Sequence, residues 1–414
     1  MAKTTKTNEI FSLTKAGDLE QTQGVKAAIR HATPSTTTNT YVSDDEMNEQ
    51  KRRTGMNNAA VETDDFEEDF SDALFDQIES FLQRVPFPAF YKAISKRVIG
   101  QDNLIHVLSN VYHYITSLLD DVPSTDHMLL AAPSGSGKTE TYRALRDYFK
   151  QEIPNLPVLM FDMTQLSPTG FRGANKGEML GTLFNLSKLA RTMHPAAIFF
   201  LDEIDKKMKP NFDGFGKNVN ADVQEDLLTM LEGSSVTVQR GAIFTDKVLF
   251  IGLGSFDAFR KEREEKTATV GFNVQEQSEE EKHFTYVTRE NMITFGASHE
   301  LLGRFPLIVN YDRLSEESVK AIIAKEVHAL SSSYMRKISL SRAFRQMLLT
   351  QANSSFGCRM ISSYLKESVL CAYEKELLSG ERDPENTVYH LLSEHEAEVI
   401  AETEEIRKES GESY

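Results

Sequence analysis

Tryptophan is absent from this chain of 414 residues, and cysteine occurs only twice, at Cys358 and Cys371. Two cysteines provide neither a disulfide framework nor a set of thiolates for a zinc site, which fits a reducing compartment. The longest apolar run, AAIFFL at 196–201, is far too short to cross a bilayer. The first residues, MAKTTKTNEI, lack the apolar stretch of a secretory signal. We therefore expect a soluble, cytoplasmic protein without a membrane segment.

An excess of positive charge is also lacking, because acidic residues outnumber Lys and Arg by 62 to 46 and the net charge is −16. Most of the excess lies at the flanks: residues 44–72 carry eleven acids against three bases, and 394–414 carry eight against two. Such segments are usually solvated. The overall acidity argues against tight binding to nucleic-acid phosphates, although a local basic patch could still exist.

The pattern along the chain divides it into four parts. Residues 1–74 are rich in Thr, Asn, Ser and acids, which predicts a disordered, low-complexity leader. Over 75–311, amphipathic helical stretches alternate with short, almost continuously apolar runs, which predicts a large α/β domain with a parallel sheet covered on both faces. Residues 312–393 are mostly helical and predict a smaller C-terminal domain, followed by an acidic tail at 394–414. The expected strands are 127–133, 157–163, 196–203, 247–254 and 306–311.

A candidate phosphate-binding loop follows the first of these strands, in the sequence APSGSGKT at 132–139. Glycines let backbone N–H groups turn inward around a polyphosphate, Lys138 offers a charge to the terminal phosphates, and Thr139 can place its hydroxyl on Mg²⁺. Ala132 stands where the full motif has glycine, and a match of this relaxed form occurs by chance in roughly a few per cent of chains. The candidate nucleotide-binding residues of this loop are Ser134, Gly135, Ser136, Gly137, Lys138, Thr139 and Glu140.

A second candidate element is IFFLDEID at 198–205, an apolar strand with two carboxylates at its C-terminal end. Asp202 is suited to the Mg²⁺ shell, and Glu203 to orienting and polarising an attacking water. Acidic turn residues after a strand are common in isolation. Next to a phosphate loop at the same edge of one sheet, they predict a catalytic pair.

Further motifs give the chain a specific resemblance. They are VIGQD at 98–102, VYHY at 111–114, LDEIDK at 201–206, VQEDLLTMLEG at 223–233, LLGRFP at 301–306 and GCR at 357–359. In order and spacing, these segments resemble the ATPase core of the ClpX-like AAA+ protein unfoldases, from about residue 88 to 390. The resemblance implies a five-stranded P-loop NTPase domain followed by a smaller helical domain. It also implies ATP and Mg²⁺ as cofactors and assembly into a homo-oligomer, expected to be a hexamer.

The resemblance also implies roles for single residues. Val98 and Ile99 would frame the adenine. Arg304 would be an arginine finger that enters the neighbouring subunit's site, and Arg359 a γ-phosphate contact from the small domain of the same subunit. Cationic side chains that contact the phosphoryl group in the transition state lower the barrier to its transfer. Near the sensor-1 position of that family, only Ser255 is polar.

Two loops are candidates for contacts with other proteins. Phe171 and Arg172, between glycines, align with the aromatic pore loop of the family, although Arg172 replaces an aliphatic residue. Alternatively, this segment is an ordinary surface turn. A second channel loop is expected near 220–222. Val270, Gly271 and Phe272 align with the tripeptide that docks on a ClpP-type peptidase ring; alternatively, they fold back on the domain.

The resemblance has gaps, and it leaves the function open between several classes. The family's N-terminal four-cysteine zinc module and its Arg-Lys-His entrance loop have no counterpart here. The first hypothesis is an ATP-driven unfoldase that feeds protein substrates to a peptidase; the second is a stand-alone remodeller of protein complexes. A nucleic-acid motor has support only from Arg172 and the KKMKP stretch at 206–210. A scaffold without turnover is disfavoured by the intact set of catalytic residues.

Overall fold

A computed structural model of the chain describes residues 59–120, 122–123, 126–167, 174–186, 194–238, 241–257, 286–352, 357–380, 387–393 and 396, without the side chains of 59–71, 182 and 184–186. The chain divides into two units, Met1–Val61 and Glu62–Tyr414. All contacts reported below lie within the second unit.

The strands in chain order are β1 (Met128–Ala131), β2 (Val158–Asp162), β3 (Ala197–Asp202), β4 (Ser235–Val238), β5 (Gly241–Phe244), β6 (Val248–Gly254), β7 (Leu307–Asn310), β8 (Lys337–Leu340) and β9 (Val388–Leu391). The helices are α1 (Ala59–Arg84), α2 (Phe87–Ser95), α3 (Leu104–Leu119), α4 (Lys138–Glu152), α5 (Lys176–Leu186), α6 (Asp205–Met208), α7 (Val219–Leu231), α8 (Arg289–Phe295), α9 (His299–Gly303), α10 (Glu316–Tyr334), α11 (Arg342–Ala352) and α12 (Arg359–Ser379).

The centre of the fold is a five-stranded sheet in the order β2-β3-β6-β1-β7, with every neighbouring pair parallel. All residues of β6 and all but the last of β3 are buried. Strands that are covered on both faces need near-continuous apolar sequences, which is the pattern these segments have. The predicted α/β class and five-stranded parallel sheet are confirmed.

Two apolar cores cover the two faces of the sheet. Successive side chains of a strand point to opposite faces, and β3 shows this directly. Ile198 and Phe200 pack in the cluster that contains the buried faces of α1, α2, α3 and α4. Phe199 and Leu201 pack in the other cluster, with residues of α5, α7 and α9. The sheet is therefore the middle layer of a three-layer domain, and its strand ends are free to carry a site.

A third core lies in the C-terminal part of the chain, with buried residues only between Val319 and Leu391. Helices α10, α11 and α12 enclose it together with the parallel pair of β8 and β9. The Arg336 guanidinium forms a buried ion pair with Glu376, whose Oε2 accepts from Nε at 3.0 Å. The Tyr389 hydroxyl donates to the same carboxylate. These contacts tie β9 to α12 and complete a small helical unit.

Three local features differ from the sequence-based expectations. Helix α1 begins at Ala59, whereas the sequence pattern predicted that regular structure begins near residue 75. The domain boundaries themselves stay predictions. The antiparallel pair of β4 and β5, and strand β9, were not expected.

A buried histidine links the sheet to α7. His127 is 2% exposed, its Nδ1 accepts from the Phe250 N–H at 3.2 Å, and its Nε2 lies 3.1 Å from the Leu231 carbonyl oxygen. This pattern suits the neutral ring with its proton on Nε2. Burial lowers the pKa of His127 to about 4, and the positive charge of Arg304 acts in the same direction.

We expect His127 to make the fold less stable in acid. The unfolded chain protonates this ring near pH 6.5, but the folded chain only near pH 4. The free energy of unfolding is therefore highest above pH 6.5, and it falls as the pH drops towards 4, by about 3 kcal/mol in total. Urea unfolding across this range measures the slope. His127→Gln, which keeps a donor and an acceptor but does not titrate, should show a shallower slope; identical slopes would contradict the assignment.

Candidate active site

The phosphate loop connects β1 to α4 and depends on two glycines. Gly135 has φ 75° and Gly137 has φ 110°, in the region that side chains with a Cβ rarely adopt. Gly137 is also the N-cap of α4, so the first, unpaired N–H groups of that helix face the loop. Such a helix end favours anions. The local conformation therefore suits a bound phosphate.

Ala132 fits its place although the full motif has glycine there. Its backbone N–H donates to the Gly254 carbonyl oxygen at 3.0 Å, which extends the pairing of β1 with β6. The described non-glycine residues with positive φ do not include Ala132. Its side chain is fully buried in the first core. The substitution therefore introduces no backbone strain into the loop.

The Lys138 side chain lies inside the loop and is 9% exposed. Its ammonium donates to the Ala132 carbonyl oxygen and, at 3.0 Å, to that of Pro133. Ser136 is also buried, and its hydroxyl donates to the same Pro133 oxygen at 2.7 Å. A phosphate with its negative charge is a stronger acceptor than a carbonyl. Lys138 is thus placed to exchange these carbonyls for phosphate oxygens.

The two carboxylates at the end of β3 differ in environment. Asp202 is partly buried, and this burial raises its pKa, while the charges of Lys138 and Arg359 oppose the rise. Glu203 is exposed, and its backbone N–H donates to Asp202 Oδ1 at 3.0 Å. A cation bound next to Asp202 would favour its ionised form. Asp202 is therefore suited to metal binding, and the exposed Glu203 side chain is accessible to a water molecule.

Glu203 has a strained backbone, with φ 57°. The left-handed region costs a non-glycine residue roughly 1 kcal/mol or more, and such residues concentrate at functional sites. Its strand is two sheet positions from β1, because both pair with β6, which lies between them. The ends of β1 and β3 are thus about 10 Å apart. This spacing places the acidic pair opposite the phosphate loop, with room for a nucleotide's terminal phosphate.

A cavity of about 340 Å³ lies against the phosphate loop. Its walls are the loop from Gly135 to Glu140, Val98 and Ile99 ahead of α3, and Leu314 and Ile322 from the C-terminal part. Volumes of this order are typical of small-molecule sites. The apolar end suits a nucleotide base and the loop suits its phosphates. The structure therefore brings together most of the predicted nucleotide-binding residues; the Ser134 carbonyl packs against Gly357 instead.

The C-terminal part of the chain touches the phosphate loop directly. A Cβ on Gly135 would lie 2.8 Å from the backbone of Gly357 and Cys358, so no larger residue fits without a shift. Arg359 begins α12 at this contact and lines the cavity. Burial raises the pKa of the Cys358 thiol to about 11, which keeps it protonated and unreactive. The helical unit therefore contributes Arg359 to the same site.

Glu140 is the centre of a group of positive charges at one side of the cavity. It pairs with Arg97 at 3.3 Å, Lys325 at 3.6 Å and Arg143 at 3.8 Å. Lys325, from α10, also donates to the Arg97 carbonyl oxygen at 3.0 Å. These contacts join α10 to the first turn of α4. The pairings of Glu140 with Arg97 and Lys325 join residues far apart in sequence, and no motif indicated them.

Arg304 lies outside the cavity. It is about half exposed, ends α9, and forms an ion pair with Glu232 at the end of α7. Exposed ion pairs contribute little to stability. Unlike Arg359, Arg304 does not reach the phosphate loop of its own chain.

Several predicted residues lie outside the described part of the chain. These are the pore-loop pair Phe171 and Arg172 and the tripeptide Val270, Gly271 and Phe272. Ser255, near the sensor-1 position, lies 3.3 Å from the Asp205 carboxylate. Residues 220–222, where a second channel loop was expected, form the first turn of α7 instead.

An exposed aromatic loop precedes α7. Phe215 is 98% exposed and Phe212 is 66% exposed. The Asp213 side chain accepts from the N–H groups of Phe215 and Lys217 at 2.8 and 2.9 Å, which holds the loop in a defined turn. Gly214 and Gly216 flank the ring. A glycine-flanked Phe was a signal that sequence reasoning could have used here, as it did at Phe171.

The described residues contain no group of three or more His, Cys, Asp or Glu arranged as a metal site. Thr139 and Asp202 offer the hard oxygen ligands that Mg²⁺ prefers. Among the same residues, no helix has the length and apolarity that crossing a bilayer requires.

Comparison with known proteins agrees with this geometry. Residues 124–308 match the family described as AAA domain (Cdc48 subfamily). The chain is 26% identical to the ATP-dependent Clp protease ATP-binding subunit ClpX of Bacteroides thetaiotaomicron, over 62% of this chain and 67% of that protein. The same identity relates it to the ClpX proteins of Porphyromonas gingivalis, over 59% and 64%, and Bacteroides fragilis, over 62% and 66%.

The chain thus spans about two thirds of the length of these relatives. The parallel sheet, the phosphate loop and these similarities together show an ATPase with the AAA+ fold that is similar to ClpX. The resemblance predicted from the short motifs is confirmed.

Proposed function

We propose that this ClpX-like AAA+ ATPase binds ATP with Mg²⁺, assembles into a ring of identical subunits, expected to be a hexamer, and uses hydrolysis to unfold proteins in the cytoplasm. The observation that carries the proposal is the meeting of the phosphate loop and Arg359 at one cavity. The positive charges of Lys138 and Arg359 also lie close enough to Asp202, at the end of β3, to lower its pKa. These are the groups that phosphoryl transfer needs.

Each residue of the site has a separate role in this proposal. Val98 and Ile99 contact the base, while the N–H groups of the loop and Lys138 hold the phosphates. Thr139 and Asp202 would hold Mg²⁺, which when bound would supply positive charge to neutralise the phosphates. Glu203 orients the attacking water and accepts its proton. Arg359 adds positive charge from the same subunit, and Arg304 from its neighbour.

The coupling of hydrolysis to unfolding is proposed from the loops. Phe171, between glycines, is suited to gripping an extended polypeptide without sequence specificity. The exposed Phe215 loop supports the same reading, because it follows the acidic strand closely and presents an aromatic ring to solvent. Val270, Gly271 and Phe272 are proposed to dock on a ClpP-type peptidase ring, where several weak contacts gain from effective concentration.

The experiment compares ATP turnover with and without an unfolded protein substrate. We expect unfolded protein to stimulate hydrolysis, and Phe171→Ala to abolish this stimulation while leaving ATP binding intact. DNA or RNA in place of protein is the negative control. Stimulation by nucleic acid but not by protein would contradict the proposal and favour a nucleic-acid motor.

A second arm separates an unfoldase that feeds a peptidase from a stand-alone remodeller. Phe272→Ala should retain stimulation by unfolded protein but lose binding to a ClpP-type ring in a pull-down with ATP. If the wild-type chain binds no such ring, the peptidase partner is ruled out while the unfolding activity stands.

A further inference from the structure

A buried glutamine joins the phosphate loop to the segment that leads into the C-terminal unit. Gln101 is 5% exposed and follows Gly100 in the stretch ahead of α3. Its Nε2 donates to the Ser136 carbonyl oxygen at 2.9 Å and to the Asp312 carbonyl oxygen at 3.0 Å. Its Oε1 accepts from the Asp312 N–H at 3.0 Å. Both donors and the acceptor of the amide are therefore occupied.

The two partners belong to different parts of the molecule. Ser136 is in the middle of the phosphate loop, beside Lys138. Asp312 lies in the short connection between β7 and α10, through which the large α/β domain passes into the helical unit that holds Arg359. The Gln101 amide pairs with both backbone groups of Asp312, as a neighbouring strand would.

The stretch before the glutamine also contacts α10. A Cβ on Gly100 would lie 2.3 Å from Ser318 Oγ, and Gly100 has φ 75°. The backbone here is thus in close contact with the first turn of α10. Consequently, residues 100 and 101 touch the phosphate loop, the connection and the helical unit.

We propose that Gln101 is a positioning residue that couples the conformation of the phosphate loop to the angle of the helical unit. This rests on the proposed ATP-binding function. Phosphate binding changes the contacts of Lys138 and hence the shape of the loop around Ser136. Breaking the Gln101 bonds in a buried site would leave three polar groups unsatisfied, so movement of Ser136 is transmitted to Asp312 instead. Arg359 then approaches or leaves the nucleotide as the unit turns.

The test uses Gln101→Met, which keeps the shape of the side chain but has no amide. The matched control is Asn103→Leu, two residues further on. Asn103 donates to the Asn310 carbonyl oxygen at 2.7 Å and to the Tyr286 hydroxyl at 3.2 Å, so it contacts the end of β7 but not the phosphate loop. If Gln101→Met does not fold, Gln101→Glu replaces it, because its carboxylate can accept from Asp312 but has no N–H to donate.

The readout is energy transfer between dyes on the two parts of the full chain. Cys371 on α12 is exposed, and Ser109→Cys places a second exposed thiol on α3. Transfer is measured without nucleotide and with saturating ATP and Mg²⁺. Thermal unfolding of each variant shows separately how much the fold is affected.

In the wild type and in the Asn103 variant, we expect ATP to change the transfer efficiency. In Gln101→Met, this change should vanish at saturating ATP, and KM for ATP should rise by about tenfold, because the buried bonds that hold the loop are lost. A Gln101 variant that unfolds at lower temperature but keeps the full ATP-dependent change would overturn the inference, as would a wild type that binds ATP without any change. Neither of these measurements depends on whether unfolded protein stimulates ATP hydrolysis. The coupling through Gln101 and the proposed unfolding function can therefore fail independently of each other.

Discussion

Replacing Glu203 with Gln is expected to reduce ATP hydrolysis by about 10²–10⁴-fold while ATP binding persists. The amide keeps the size of the side chain and its position at the end of β3, but it cannot take a proton from water. Lys138, Asp202 and the loop glycines remain, so the nucleotide still binds. Single-turnover hydrolysis and the Kd of a fluorescent ATP analogue measure the two properties in one sample.

The left-handed backbone at Glu203 provides a control for this variant. Asn tolerates positive φ better than Glu or Gln. Glu203→Asn should therefore unfold at the same or a higher temperature than the wild type, yet hydrolyse ATP as poorly as Glu203→Gln. Normal turnover in Glu203→Gln would show that another group activates the water.

The second large effect is expected at Arg304. Arg304→Ala should lower hydrolysis by about 10³-fold or more, the size that arginine fingers have in phosphoryl transfer. ATP binding should change little, because the structure places Arg304 outside the cavity of its own chain. Steady-state turnover and nucleotide affinity, measured at concentrations where the chain is oligomeric, give the comparison.

Glu232→Gln is the matched control for Arg304, since it removes the ion-pair partner that Arg304 has within the chain. If Arg304 acts only through this exposed pair, both variants should behave alike. If it completes a neighbour's site, Glu232→Gln should stay close to wild type, within the roughly 1 kcal/mol that such pairs contribute.

The parts of the fold and site that sequence predicts are those with local signals. The five apolar strands could be placed because burial on both faces demands continuous hydrophobic runs. The phosphate loop was found because Gly135 and Gly137 must adopt positive φ next to Lys138. The acidic pair followed from its position at a strand end.

The parts that sequence did not predict depend on partners distant along the chain. The three bonds of Gln101 link it to Ser136 and Asp312, and the pairing of Lys325 with Glu140 joins α10 to α4, two helices that are far apart in the sequence. Strand β9 is short and, among the described strands, pairs with β8 alone, so its sequence pattern was too weak to predict a strand.

The central claim is that each subunit lends a guanidinium to its neighbour's nucleotide, and mixing two inactive variants tests it most directly. Arg304→Ala subunits have an intact Glu203, and Glu203→Gln subunits have an intact Arg304. The account predicts that the mixture regains ATP hydrolysis, up to about one quarter of the wild-type rate, because random assembly places both intact groups at one interface in four. If labelled subunits are shown to share rings and the mixture stays as inactive as its components at every ratio, the claim is contradicted.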